Sequence, residues 1–201
     1  HKAPGSANIR ILGAGSDPSL LRREGRATTR EGHVTITGNV FSDVEVNIEL
    51  HESRGVTLTG NTFWEGFAHD LLVEDSQNIV ITGNNFDRNP RYLVNGNGLA
   101  EHNGIVLRRL ADSAFAGNIV VGVHGKEAAV DIEDSSRLRI TDNSILDSDG
   151  HALRLTRVTR SLATGNLLRD DRPADRRSVA PLLSVREGSD NRIDAEPTVA
   201  R

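Results

Sequence analysis

The segments VTITGNVF at 34–41, VTLTGNTF at 56–63 and IVITGNNF at 79–86 are versions of one another, and SAFAGNIV, LRITDNSI and SLATGNLL are weaker copies further along. Self-similarity at a period of this size is the mark of a solenoid, in which each unit is too small to bury its apolar side alone. The shared asparagines are Asn39, Asn61, Asn84, Asn118, Asn143 and Asn166, so the steps are 22, 23, 34, 25 and 23 residues. One step is long, which places one insertion between Asn84 and Asn118.

Within each copy the apolar residues alternate, as in Val34 and Ile36, Val56 and Leu58, or Ile79 and Ile81. That period of two predicts a strand with one buried face. Gly and Asn accept left-handed backbone angles, so Gly38-Asn39 and its equivalents turn the chain. Phe41, Phe63, Phe86, Val120, Ile145 and Leu168 then mark a second short strand. A third precedes each asparagine: VEVNIEL at 44–50, HDLLVED at 69–75, NGIVLRR at 103–109, AAVDIED at 128–134 and HALRLTR at 151–157. Coils of three short strands stack through parallel ladders at about 4.8 Å per rung, and stacked Asn amides can bond along the axis. Aromatics are only 3% of the chain, which suits a narrow core of Val, Ile and Leu. A leucine-rich repeat would show L-x-x-L-x-L frames, and a propeller would need longer, four-stranded units.

The recurring strand, T-G-N turn and following apolar residue, over roughly residues 34–170, resemble the pectate-lyase-like superfamily of right-handed β-helices. The expected fold is therefore all-β, a right-handed single-stranded parallel β-helix of about seven rungs of 22–25 residues. Residues 1–201 are expected to form one domain, with 1–33 an irregular N-terminal part or first rung, 34–168 regular rungs, and 169–201 an insertion and last partial rung. The resemblance implies a carbohydrate partner held along the exposed strand face, and a secreted, periplasmic or cell-surface location. It does not choose an activity, because the superfamily includes lyases, hydrolases, epimerases, tailspikes and non-enzymatic surface proteins.

Other classes are disfavoured. A net charge of −4 with signs interspersed gives no broad field for phosphate backbones, so nucleic acid is not an expected partner. There is no Cys for a disulfide or thiolate site. No apolar run approaches the roughly 20 residues that span a bilayer, so no membrane insertion is expected, and HKAPGSANIR has no signal-peptide pattern. With no Met and a start at His1, the sequence reads as a processed chain or part of a longer one.

Aligned on the asparagines, the third strands place His51, Glu74, Arg108, Glu133 and Thr156 in one outward column, with Glu49, Leu72, Val106, Asp131 and Arg154 in another and Asn47 and Asp70 beginning a third. Loops entering these strands vary in length, and variable loops on a rigid scaffold gather binding residues. The longest, from Asp87 to Asn103, carries Arg88, Arg91, Tyr92, Glu101 and His102. WEGFAHD brings Trp64 and Asp70, with His69 expected inward because it aligns with Val46, and VGVHGKE brings His124 and Lys126.

A lyase acting on uronic acids must neutralise a carboxylate, abstract the C5 proton and assist the leaving oxygen. Lys126 or His102 fits the base, Arg108 and Arg91 the carboxylate, and Tyr92 stacking or proton donation. Asn47, Asp131, Arg154 and Trp64 complete the expected substrate contacts, with Asp70 the outward carboxylate. A hydrolase would instead use paired carboxylates such as Asp70 with Glu74 or Asp131 with Glu133. A non-catalytic glycan-binding or structural β-helix is the remaining reading. No cofactor is expected. Ca²⁺ at the carboxylates is the alternative, and no calcium-loop motif or consecutive Asp string accompanies it.

Overall fold

The alternation seen in the sequence becomes three parallel sheets. The computed structural model describes residues 3–13, 32–88 and 102–194, and among these there are 20 strands and no helix. The strands sort into sheets of seven, seven and six. The first sheet runs through Ala7–Leu12, Val44–His51, Gly66–Glu74, Gly104–Arg108, Ala128–Glu133, His151–Thr156 and Leu183–Arg186. The second holds the repeat strands from Val34–Thr37 to Arg192–Ile193, and the third the short strands after each asparagine, from Val40–Phe41 to Leu167–Arg169.

Register follows the asparagine alignment. Ile48, Leu71, Ile105, Val130 and Leu153 are successive ladder partners, as are Leu50, Val73, Leu107, Ile132 and Leu155. All of these are buried, and each such side chain contributes about 1.5–3 kcal/mol. In the third sheet Phe41, Phe63 and Phe86 pair in register, with ring centroids 5.3 and 4.6 Å apart. A rung narrow enough to be filled by a few aliphatic residues and at most one ring explains why few aromatics suffice.

The turn asparagines form the expected ladder. The Oδ1 of Asn61, Asn84, Asn118, Asn143 and Asn166 each accepts the backbone N–H and the side-chain Nδ2 of the asparagine one coil earlier, at 2.9–3.1 Å. The Nδ2 of each of these five donates also to a carbonyl of the preceding coil. A buried amide satisfied on every side stabilises a turn that an unpaired one would weaken.

Between the first and second sheets the chain turns through two further left-handed columns. One contains Glu52, Asp75, Arg109, Asp134, Arg157 and Glu187, the other Asn78, Asp112, Arg137, Arg160 and Asp190, all with φ between 49° and 56°. Acidic and basic residues occupy most of these positions, so no run of glycines announced the turns. Their compensation is ionic: Arg109 meets both Asp75 oxygens at 2.6 and 2.9 Å, and Arg157 meets those of Asp134.

Candidate functional site

The first-sheet strand Gly66–Glu74 is longer than its neighbours and out of step with both. It holds one extra residue between the pairs Val44–Gly66 and Val46–His69, and its register to the next strand slips between Gly104–His69 and Ile105–Leu71. Such bulges re-aim side chains, and these two bracket His69 and Asp70.

Asp70 and Asn47, expected to face solvent as a catalytic carboxylate and a substrate contact, are both 0% exposed. Asp70 Oδ1 accepts Asn47 Nδ2 at 2.7 Å and the Gly66 amide at 3.2 Å. Asn47 Nδ2 also donates to the Trp64 carbonyl at 3.0 Å, and its Oδ1 accepts Asn8 Nδ2 at 2.7 Å. These bonds hold the bulge folded over the sheet, which is why the alternation rule misplaced both residues. Gly66 sits so tightly in it that a Cβ would collide with the His69 carbonyl and Asp70 Oδ1. Trp64 is half-buried at the bulge entrance.

His69 keeps its register with Val46, but its ring lies beside Gly104 rather than serving only as core filling. A Cβ on Gly104 would stand 3.3 Å from His69 Nδ1 and 3.4 Å from Lys126 Cε, so the ring and the lysine side chain meet over that glycine. Burial, with the nearby charges of Lys126, Arg108 and His102, lowers the His69 pKa to about 4. Burial also lowers that of Lys126. Lys126 has no ion pair with any described carboxylate.

His102 Nδ1 lies 2.8 Å from the His124 carbonyl, and backbone bonds tie His102 to Phe67 and His124. The His102 ring rests on Gly125, where a Cβ would come within 3.1 Å. Behind it, His124 Nδ1 contacts Asp149 Oδ2 at 2.6 Å, and Asp149 Oδ1 meets Arg172 at 2.7 Å. Burial raises the Asp149 pKa, but Arg172, the Gly125 amide and His124 outweigh it and hold the carboxyl below its usual range. Asp149 and Arg172 were not singled out in the sequence. The available signal was that HGKE and DSDGH occupy the same loop of successive coils.

The outward columns form a chain of ion pairs. Arg108 stands between Glu74 at 3.5 Å and Glu133 at 3.2 Å, and Glu74 in turn faces His51 at 3.4 Å. Arg154 grips Asp131 through two bonds of 2.8 and 2.6 Å, with Glu133 at 3.4 Å. Each exposed pair contributes about 0–1 kcal/mol, so Arg108 can turn part of its guanidinium to an incoming anion at little cost. Asp131 and Arg154 lie deeper and are committed to one another. The carboxylates Asp131 and Glu133 are thus held by arginines rather than left to flank a bond.

Lys126 and His69 are therefore brought together over Gly104, where the charges of Arg108 and His102 also bear on the His69 ring, whereas Asn47, Asp70, Asp131 and Arg154 are engaged in the scaffold. Arg91 and Tyr92 lie outside the described residues. Among the described residues no group of three or more His, Asp or Glu is arranged to hold a metal ion.

The fold and this cluster define a parallel β-helix whose polar centre lies at the entry edge of its longest-stranded sheet. A family model described as a right-handed β-helix region matches residues 21–145, more than half of the sequence, and the chain belongs to that family. No curated protein and no solved structure matches it.

Proposed function

We propose that this chain is a carbohydrate-active β-helix of the pectate-lyase-like kind, acting outside the cytoplasm, which binds an acidic polysaccharide along the first sheet and cleaves it by β-elimination. The observation that carries this reading is the meeting of Lys126 and His69 over Gly104, where the charges of His102 and Arg108 also bear on the His69 ring. Burial of the Lys126 amine favours its neutral, basic form, and Arg108 and His102 act electrostatically on the His69 ring that meets it. The same two residues favour a carboxylate ligand.

In the proposed step Arg108 and His102 hold the uronate carboxylate, whose negative charge grows as the C5 proton passes to Lys126 Nζ. The C5–H electron pair forms the C4–C5 double bond and the C4–O bond breaks. The departing oxygen takes its proton from the Lys126 ammonium, which restores the neutral amine.

The test is the ultraviolet absorbance of unsaturated uronates on a panel of acidic polysaccharides, read beside a reducing-end assay. A rise in absorbance that Lys126→Ala abolishes supports the lyase. New reducing ends without absorbance mean hydrolysis. Binding with neither product means a non-catalytic glycan-binding β-helix.

A further inference from the structure

The second sheet has an arginine face that plays no part in the site above. A broad open groove of 740 Å³ crosses it, lined by Arg137, Arg139, Arg160 and Arg192 with Asp112 and Asp190, over a floor that includes Val80, Ala114 and Leu162. Four guanidinium groups against two carboxylates stand out in a chain whose net charge is −4. All four arginines are exposed.

Their arrangement departs from the sign alternation that prevails in the other charged columns. The neighbouring left-handed column opens on two acids, Glu52 and Asp75, and alternates in sign from there through Arg109, Asp134, Arg157 and Glu187. On the first sheet Glu74, Arg108 and Glu133 alternate likewise. Here the column runs Asp112, Arg137, Arg160, Asp190, with two arginines on adjacent coils. Beside it Arg139, Leu162 and Arg192 form a ladder that contains no acid. Asp112 is taken by Arg137 through two hydrogen bonds. Arg139, Arg160 and Arg192 form no ion pair with a described carboxylate. Like charges on neighbouring strands are destabilising, and an anion spanning the coils would relieve that repulsion.

We propose that this groove is a second binding surface, separate from the first sheet, for an extended anionic glycan bearing sulfate or carboxylate groups. Coils advance by about 4.8 Å, close to the rise of one pyranose in an extended chain, so successive sugars can present their anions to successive arginines. Guanidinium binds such oxyanions bidentately. The aliphatic floor suits the C–H faces of sugar rings. Single-stranded nucleic acid would call for aromatic stacking platforms, and none of the described residues that line the groove is aromatic. The choice of a glycan rests on the carbohydrate-active reading above, but the binding can be measured independently of any cleavage.

The experiment is affinity electrophoresis and calorimetry with three probes: a heparin-derived oligosaccharide, an oligogalacturonate, and a single-stranded oligonucleotide of equal charge. Variants are Arg160→Asn, which suits that residue's left-handed backbone, and Arg139→Gln with Arg192→Gln. The expected result is glycan binding that weakens with salt, falls about tenfold for each arginine removed, and persists in Lys126→Ala. The two glycan probes report whether sulfate or carboxylate is preferred. Glycan binding that the arginine variants leave unchanged, no glycan binding at all, or stronger binding of the oligonucleotide through the same arginines would overturn the proposal. Because Lys126→Ala silences only the first site, failure of the lyase reading and failure of this one are told apart. Thermal melts of each variant exclude loss of fold as the cause.

Discussion

His102 Nδ1 and the carbonyl oxygen of His124 are 2.8 Å apart, and since a carbonyl can only accept, Nδ1 carries the hydrogen. Nε2 is therefore the nitrogen left to meet a ligand, as acceptor in the neutral ring or as donor in the imidazolium. Orientation of a functional ring by the bond its other nitrogen makes is a common device. The His124–Asp149–Arg172 chain behind it fixes the loop that supplies the carbonyl.

Lys126 is the side chain on which the proposed elimination depends. Lys126→Ala is expected to lower kcat about 10²- to 10⁴-fold, the usual worth of a general base, while leaving the melting temperature close to wild type. Because burial lowers its pKa, the rate should rise with pH through a midpoint below the usual lysine range. Lys126→Arg, which stays cationic, should be inactive throughout. A pH–rate profile on a polyuronate checks all three statements.

His69 makes stability depend on pH. Its pKa is about 4 when folded and about 6.5 in an unfolded chain. Between those values the unfolded chain binds more protons than the native one, so stability is lost as pH falls from about 6.5 towards 4. The loss attributable to this residue is on the order of 2–3 kcal/mol. Urea midpoints at pH 7 and pH 4.5 should differ more in wild type than in His69→Gln. Equal differences would mean that the ring is as free to protonate as one in water.

The asparagine ladder should weaken most where it is best enclosed. Asn118 Oδ1 accepts two bonds from Asn84, and its Nδ2 donates to the Ile81 carbonyl and to Asn143, each at 3.0 Å. Asn118→Ala leaves the buried Asn84 backbone N–H without its acceptor and removes the side-chain bonds to Asn84, Asn143 and the Ile81 carbonyl, at a cost of about 2 kcal/mol or more. At Asn39, which is exposed on the first of these turns, the same change should cost about 1 kcal/mol or less. Equilibrium denaturation of the two variants compares them directly.

The sequence carried the fold because a coil of this kind repeats its constraints. The period of two, the T-G-N turn and the Phe41, Phe63 and Phe86 positions each recur at the same place in successive rungs, so one alignment located the sheets and the inward columns. The site was only partly legible, for a local reason. Alternation places Asn47 and Asp70 outward, and the strand that breaks alternation is Gly66–Glu74, which carries Asp70 and two bulges and covers Asn47 on the strand beside it. A bulge is a departure from the repeat, so repeat-based reading is least informative there. Asp149 and Arg172 act through His124 from another loop, and a contact between coils leaves no spacing to detect. The charged left-handed turns were hidden too, since Asp, Asn and Arg there do the work usually expected of glycine.

Gly104 offers the most economical test of whether the meeting of His69 and Lys126 matters. Its φ is not in the left-handed region, so alanine is conformationally acceptable, and the added methyl would face His69 Nδ1 at 3.3 Å, Lys126 Cε at 3.4 Å and the Ala68 carbonyl at 3.5 Å. Those contacts are tight but can be relieved if the lysine chain and the ring yield by a few tenths of an ångström. Gly104→Ala is therefore expected to change stability by less than about 1 kcal/mol, since an alanine in a strand loses less backbone entropy on folding than a glycine. Its kcat/KM should nonetheless fall by about tenfold or more, because displacement of a catalytic group by a fraction of an ångström is costly. Paired melting curves and polyuronate kinetics read the two quantities separately. A variant with unchanged kinetics would place the chemistry away from this glycine, and one that is inactive only because it has unfolded would be recognised in the melt.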